Sequence, residues 1–179
     1  MSGRRTICAV AEQQGPARPR RVVIGSDIRH PVSEELALHL EERGLSVVRC
    51  GAVGAPDTPW PKVAEQVGRL VAQGAVESGI VCCWTGTGVS IAANKVPGVR
   101  AALCSDAQTA RGARRWNDAN VLALSLRATS AAVAEEIVDA WFEPTAPDPD
   151  EADNIRAVEE IERRYRGRGA PTGSIHADA

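Results

Sequence analysis

The segment Gly79-Ile80-Val81-Cys82-Cys83-Trp84-Thr85-Gly86-Thr87-Gly88 constrains this chain more than any other. From Gly79 to Cys83 every residue is apolar or small, without the alternation of a half-exposed strand. Such a run reads as a strand buried on both faces, the kind found in parallel sheets covered by helices. Gly86 and Gly88 then permit a tight turn and close backbone approach, and Gly88 to Asn94 reads as a short helix. The N–H groups of a turn that leads into a helix point at whatever lies above the strand, so this segment predicts an anion site beside a thiol. Side chains alternate along a strand, so only one of Cys82 and Cys83 reaches the turn. Position assigns that role to Cys83 and leaves Cys82 in the core.

The flanking sequence repeats a strand, loop and helix pattern. Val22 to Gly25, Leu45 to Cys50, Arg100 to Cys104 and Val121 to Leu126 read as further strands. Ser33 to Arg43, Lys62 to Gln73, Ala107 to Arg115 and Ser130 to Trp141 carry apolar residues at helical spacing, such as Leu36 with Leu40 and Val63 with Val67. Strands alternating with helices predict the α/β class: a Rossmann-like three-layer αβα sandwich with a five-stranded parallel sheet and a C-terminal helix, Ala152 to Arg166. Ligands of such sheets bind outside the carboxyl ends of the strands, where Asp27, Cys83, Ser105 and Arg127 fall. Residues 1–20 read as a disordered arm, 21–166 as a single domain with a proline-rich linker at 144–151, and 167–179 as a flexible tail.

Composition excludes several classes of function. With 179 residues and a formal charge of −2, the chain suits one globular domain and shows no basic face for nucleic acid. No apolar run approaches the roughly 20 residues that span a bilayer, and the N-terminus lacks the apolar stretch of a signal peptide, so the expected location is cytoplasmic. Five cysteines, Cys8, Cys50, Cys82, Cys83 and Cys104, are an odd number without zinc-ligand spacing, which argues against a disulfide framework or a metal site.

From Cys83 through Lys95 the chain resembles the signature C-G-T-G-x-G-x-S-I-A-A-N-K of the ribose-5-phosphate isomerase type B and galactose-6-phosphate isomerase family. The likeness continues through Val96 to Cys104 and Asn117 to Leu124, and spans about residues 21 to 165. It implies an aldose-ketose isomerase working through a cis-enediolate, with Cys83 as the proton-transferring base and Thr85 donating or relaying a proton. Gly86, Thr87 and Gly88, beside Trp84, would hold the enediolate oxygens through their N–H groups. A thiol acts as a base where its anion is favoured, which the amino end of the following helix provides. One branch of the family uses a glutamate where Val89 stands, and Val89 excludes that variant. The resemblance further implies that Asp27 contacts substrate hydroxyls, that Asn117 reaches the sugar across a subunit interface, and that Arg127 meets a substrate phosphate. The implied partners are a small sugar or sugar phosphate and a second copy of the chain, as a homodimer or a tetramer. Val158, Ile161 and Tyr165 of the last helix would face that copy, and neither a metal nor an organic cofactor is implied.

The departures from the family pattern bear on substrate. Asp-His-Ala-Gly-Phe is replaced by Asp27-Ile28-Arg29-His30-Pro31, and Arg-x-His-Asn by Arg114-Arg115-Trp116-Asn117. The histidine that serves as ring-opening acid is thus Trp116, and neither Trp116 nor Ile28 can shuttle a proton. The phosphate-gripping Gly-Arg-His-x-x-Arg gives way to Asp153-Asn154-Ile155-Arg156, which leaves Arg156 as the nearby cation. An acyclic or atypically phosphorylated sugar fits these changes; a tetrose phosphate, whose esterified 4-hydroxyl cannot close a furanose, is one. Trp60, placed in the loop after the second strand, is a companion to Trp116 as an apolar wall, and His30 is a candidate replacement acid. Simpler roles stand beside these: an inert core thiol for Cys83, a cap or turn for Asp27, a turn for Asn117 and a solvated surface residue for Arg127. A sugar-binding or complementing subunit without catalysis, and an enzyme using Cys83 as a covalent nucleophile, are the alternatives for the whole chain.

Overall fold

The computed structural model describes residues 20–54, 56–144 and 146–166. Its five strands are β1 (Arg21–Ser26), β2 (Ser46–Gly51), β3 (Ser78–Cys83), β4 (Ala101–Leu103) and β5 (Val121–Ser125). They form one parallel sheet in the order β2-β1-β3-β5-β4. Six helices connect and cover it: α1 (Pro31–Glu42), α2 (Trp60–Ala72), α3 (Thr87–Ala93), α4 (Ala107–Asn117), α5 (Ala131–Phe142) and α6 (Ala152–Arg166). This is the α/β sandwich read from the sequence. The chain runs outward from β1 to β2 and then returns past β1 to β3, so the strand order switches direction between β1 and β3. Connections leave these two strands toward opposite sides, and a crevice opens at their carboxyl ends.

Alternation along each strand divides the core into two layers. Val22, Ile24, Ile80, Cys82, Leu122 and Leu124 meet Leu36 and Leu40 of α1 and Ile137, Val138 and Trp141 of α5. Val23, Val81, Cys83, Val121 and Ala123 face the other way, against Ala64, Val67 and Val71 of α2 and Val89 of α3. The adjacent cysteines therefore lie on opposite faces of β3, with Cys83 on the side of the glycine turn. Trp141 is fully buried, and its indole N–H donates to Ser78 Oγ at 2.8 Å. The Ser78 hydroxyl in turn donates to the Asn120 carbonyl at 3.2 Å, tying α5 to the starts of β3 and β5.

Several boundaries differ from the sequence reading. Arg20, expected in the arm, pairs with Glu77 at 2.7 Å and stacks 5.5 Å from the Phe142 ring centroid, so the fold begins before β1. The rest of the expected arm, 1–19, and the expected tail, 167–179, lie outside the described residues. Trp60 is not in a loop but opens α2, because Pro61 in the first turn loses no helical hydrogen bond there. The linker contains a 3-10 turn, Pro149–Glu151, whose entry Asp148 caps through its side chain. Among the described residues no helix is long and apolar enough to cross a membrane.

Removing the Trp141 ring opens the α5 side of the core and strips Ser78 of a partner. Trp141→Ala is expected to lower stability by about 3–5 kcal/mol in urea unfolding. Trp141→Phe, which loses the hydrogen bond and less volume, is expected to cost less.

Candidate active site

The left-handed conformation of one residue shapes the turn after β3. Gly86 has φ of 74° and caps α3. A Cβ there would lie 2.6 Å from Leu103 Cδ1 and 2.9 Å from the carbonyl carbon of Leu124, so both the backbone angle and the space require glycine. This fold of the chain brings the Gly86 N–H back to donate to Cys83 Sγ at 3.2 Å. The Gly86 carbonyl accepts the Ser90 N–H at 3.1 Å and starts the helix. The N–H groups of Thr85, Thr87 and Gly88 meet no acceptor among the described residues. Thr85 Oγ1 and Thr87 Oγ1 share a hydrogen bond of 2.7 Å. Cys83 forms the floor beneath this turn and is 6% exposed.

On one side the turn is held by the end of β5. The Leu126 N–H donates to the Cys83 carbonyl at 3.0 Å, and the Arg127 N–H to the Trp84 carbonyl at 3.0 Å. The Ser125 hydroxyl also donates to the Trp84 carbonyl, at 3.0 Å.

On the other side stands the end of β1. Ser26 pairs in register with Cys82, which sets Asp27 level with Cys83. Asp27 Oδ1 is buried without a hydrogen-bond partner. Burial pushes the Asp27 carboxyl pKa upward and the nearby Asp57 carboxylate adds to the rise, against hydrogen bonds from the N–H groups of Asp27 and Ile28. Asp27 does not cap the next helix: His30 does, its Nδ1 accepting the Val32 N–H at 3.3 Å. His30 is thus committed to the helix end through one ring nitrogen. Around the crevice, Ile28, Trp60 and Trp84 expose apolar surface. The Trp60 ring lies on the turn itself, since a Cβ on Gly88 would come within 3.2 Å of its Cε3. The other thiols among the described residues are chemically quiet. Burial pushes Cys82 up to about 12 and Cys104 up to about 11, and raises Cys50 as well.

One chain does not bring every expected residue to Cys83. Trp116 and Asn117, at the end of α4, line a groove of about 650 Å³ with Leu103, Asp106 and Thr109. They also border a second groove, of about 800 Å³, against Ile155, Val158 and Ile161 of α6. Neither groove includes Cys83 or its turn, although Leu103 touches Gly86 from the first. Arg127 is exposed and engages the turn through its backbone. Arg156 is not a free cation, because it forms an ion pair with Asp153 on the exposed surface of α6. Ser125 and Leu103 border the turn without carrying any motif; the one signal for them was their position at strand ends, Ser125 on β5 beside β3 and Leu103 on β4 beyond it.

The Ribose/Galactose Isomerase family model matches residues 22–161. The chain belongs to the Ribose/Galactose Isomerase family. Ribose-5-phosphate isomerase B of Escherichia coli is 38% identical to it over 146 residues, covering 81% of this chain and 98% of that relative. D-erythrulose-4-phosphate isomerase of Pectobacterium atrosepticum is 35% identical over 118 residues, 65% of this chain and 75% of the relative. The solved structure of Clostridium thermocellum ribose-5-phosphate isomerase B superposes with a TM-score of 0.75 at 39% identity, over 81% of this chain and 99% of that one. The family placement makes this chain an isomerase, built on the fold described above.

Two outcomes test the site. Gly86→Ala is expected to lose about 1–2 kcal/mol from the left-handed backbone alone, and more from the contact with Leu124, seen as a drop in the urea midpoint. Asp27 bears on pH. Its folded pKa is raised, so its stabilising contribution is full below the ordinary value of 3.8 and is lost as pH rises through the folded value. Asp27→Asn is therefore expected to raise the thermal midpoint at neutral pH and to leave it unchanged at about pH 3, where both side chains are neutral.

Proposed function

We propose that this protein is an aldose-ketose isomerase for a small phosphorylated sugar, in which Cys83 carries the proton between adjacent carbons of an enediolate. The observation that carries this reading is the geometry around Cys83 Sγ, which accepts the Gly86 N–H at 3.2 Å beneath N–H groups that have no acceptor among the described residues. The thiolate removes the proton from the carbon beside the substrate carbonyl, and the electron pair shifts to form a carbon-carbon double bond and a negative oxygen. The free N–H groups of the turn stabilise that oxygen. Cys83 then returns its proton to the neighbouring carbon. The Thr85 and Thr87 hydroxyl pair moves the proton that must pass between the two oxygens, and Asp27 binds a substrate hydroxyl.

The substrate we favour is a four-carbon sugar phosphate. Its 4-hydroxyl is esterified, so it stays open-chain and needs no ring-opening acid, in keeping with Ile28 and Trp116. A family relative named D-erythrulose-4-phosphate isomerase supports this class. The working form we propose is a homodimer, since Trp116 and Asn117 line grooves apart from the turn of their own chain and are available to the turn of another. A second reading, a complementing subunit, is favoured by the relative named Galactose-6-phosphate isomerase subunit LacB of Clostridium acetobutylicum, 33% identical over 143 residues.

Deuterium wash-in from solvent separates these readings. Wild type is expected to label erythrulose 4-phosphate faster than ribulose 5-phosphate, and Cys83→Ala to lose about 10²–10⁴-fold in rate. Labelling by Cys83→Ala at the wild-type rate would remove Cys83 as the base. Activity that appears only after adding a second family chain would favour the complementing subunit.

A further inference from the structure

We infer that Ser125 is a positioning residue for the isomerisation: its hydroxyl holds the Trp84 carbonyl so that the Thr85 N–H faces the crevice beside Cys83 as a donor to the enediolate oxygen. The inference rests on the isomerase reading and deepens it. The Trp84 carbonyl is an acceptor only, so the 3.0 Å contact with Ser125 Oγ fixes the serine as donor. The serine oxygen is free to accept in turn, and it takes the Ala128 N–H at 3.2 Å. The hydroxyl is thus engaged in both senses, which fixes its rotor. The Trp84 carbonyl receives a second bond from the Arg127 N–H, so two donors at the β5 end pull it toward that strand.

The consequence lies in the same peptide unit. A trans peptide is planar, with its carbonyl and its N–H pointing in opposite directions. The N–H across from the Trp84 carbonyl belongs to Thr85. With the carbonyl turned toward β5, this N–H turns toward the β1 side of β3, because β3 lies between those two strands. That is the side where Asp27 stands level with Cys83. The Thr85 N–H has no acceptor among the described residues, as a donor reserved for a ligand would not. Without the Ser125 hydroxyl the carbonyl keeps only the Arg127 N–H, and the Ala128 N–H loses its acceptor. The peptide plane is then free to rock, and the Thr85 N–H loses its fixed aim. An oxyanion donor acts through preorganisation, so loss of aim falls on the transition state more than on ground-state binding.

The test compares Ser125→Ala, Ser125→Gly and Ser125→Thr with wild type on erythrulose 4-phosphate and ribulose 5-phosphate. Each is also titrated with a three-carbon hydroxamate phosphate, whose nitrogen and carbonyl carbon stand for C1 and C2 of the four-carbon enediolate, and with the four-carbon alditol phosphate, which lacks the planar anion. Ser125→Ala and Ser125→Gly are expected to lose about tenfold in kcat with KM held within about twofold, and to bind the hydroxamate about tenfold more weakly while binding the alditol as before. Ser125→Thr, which keeps the hydroxyl, is expected to restore both. An unchanged kcat in Ser125→Ala and Ser125→Gly, equal losses for the two analogues, or no rescue by threonine overturns the positioning role. Wild type that neither turns over nor binds either analogue overturns the isomerase reading itself, and this inference with it.

Discussion

Pairing of β3 on both edges by parallel strands is the constraint on which the site depends. A strand buried on both faces must satisfy its backbone through its neighbours, and here β1 and β5 pair it on both edges, with Asn120 and Leu126 beside β5 taking its two ends. The registers Ser26 with Cys82 and Cys83 with Ser125 follow from that pairing. They bring the ends of three strands to one level, with a carboxylate on one side of the thiol and a hydroxyl on the other. A slip of one residue would exchange the faces of Cys82 and Cys83 and place the wrong sulfur beneath the turn.

The site is held at some expense to the fold. Gly86 occupies a left-handed conformation, and Asp27 keeps a buried oxygen without a partner. Both are tolerated because the layers on either side of the sheet are closely packed and anchored by groups such as Trp141 on Ser78. Unpaired buried polar atoms of this kind persist where the surroundings determine the geometry.

Much of the fold was legible because periodicity is local. The run from Gly79 to Cys83 and the helical spacing of Leu36 with Leu40 identify their elements without knowledge of distant contacts. Boundaries slipped where a long-range contact decides them. Arg20 joins the fold through Glu77 and Phe142, and β3 begins one residue early at Ser78, whose hydroxyl is occupied by Trp141. The same division runs through the site. Cys83 to Gly88 was readable because glycine chemistry sits within a few residues. Ser125 was not, since its role lies in a contact with Trp84 across two strands. Arg156 looked like a candidate cation until the structure supplied its neighbour Asp153 as an ion-pair partner.

The two adjacent cysteines carry a practical consequence for inhibitor chemistry. Alternation along β3 puts one sulfur at the floor of a crevice and the other behind the sheet, among the side chains of α1 and α5. A substrate-shaped electrophile that enters the crevice meets Cys83 alone of these two neighbours. Covalent occupancy of the turn can then be counted as a single added mass on the tryptic peptide that holds both, with Cys82 serving as an internal standard for unwanted unfolding.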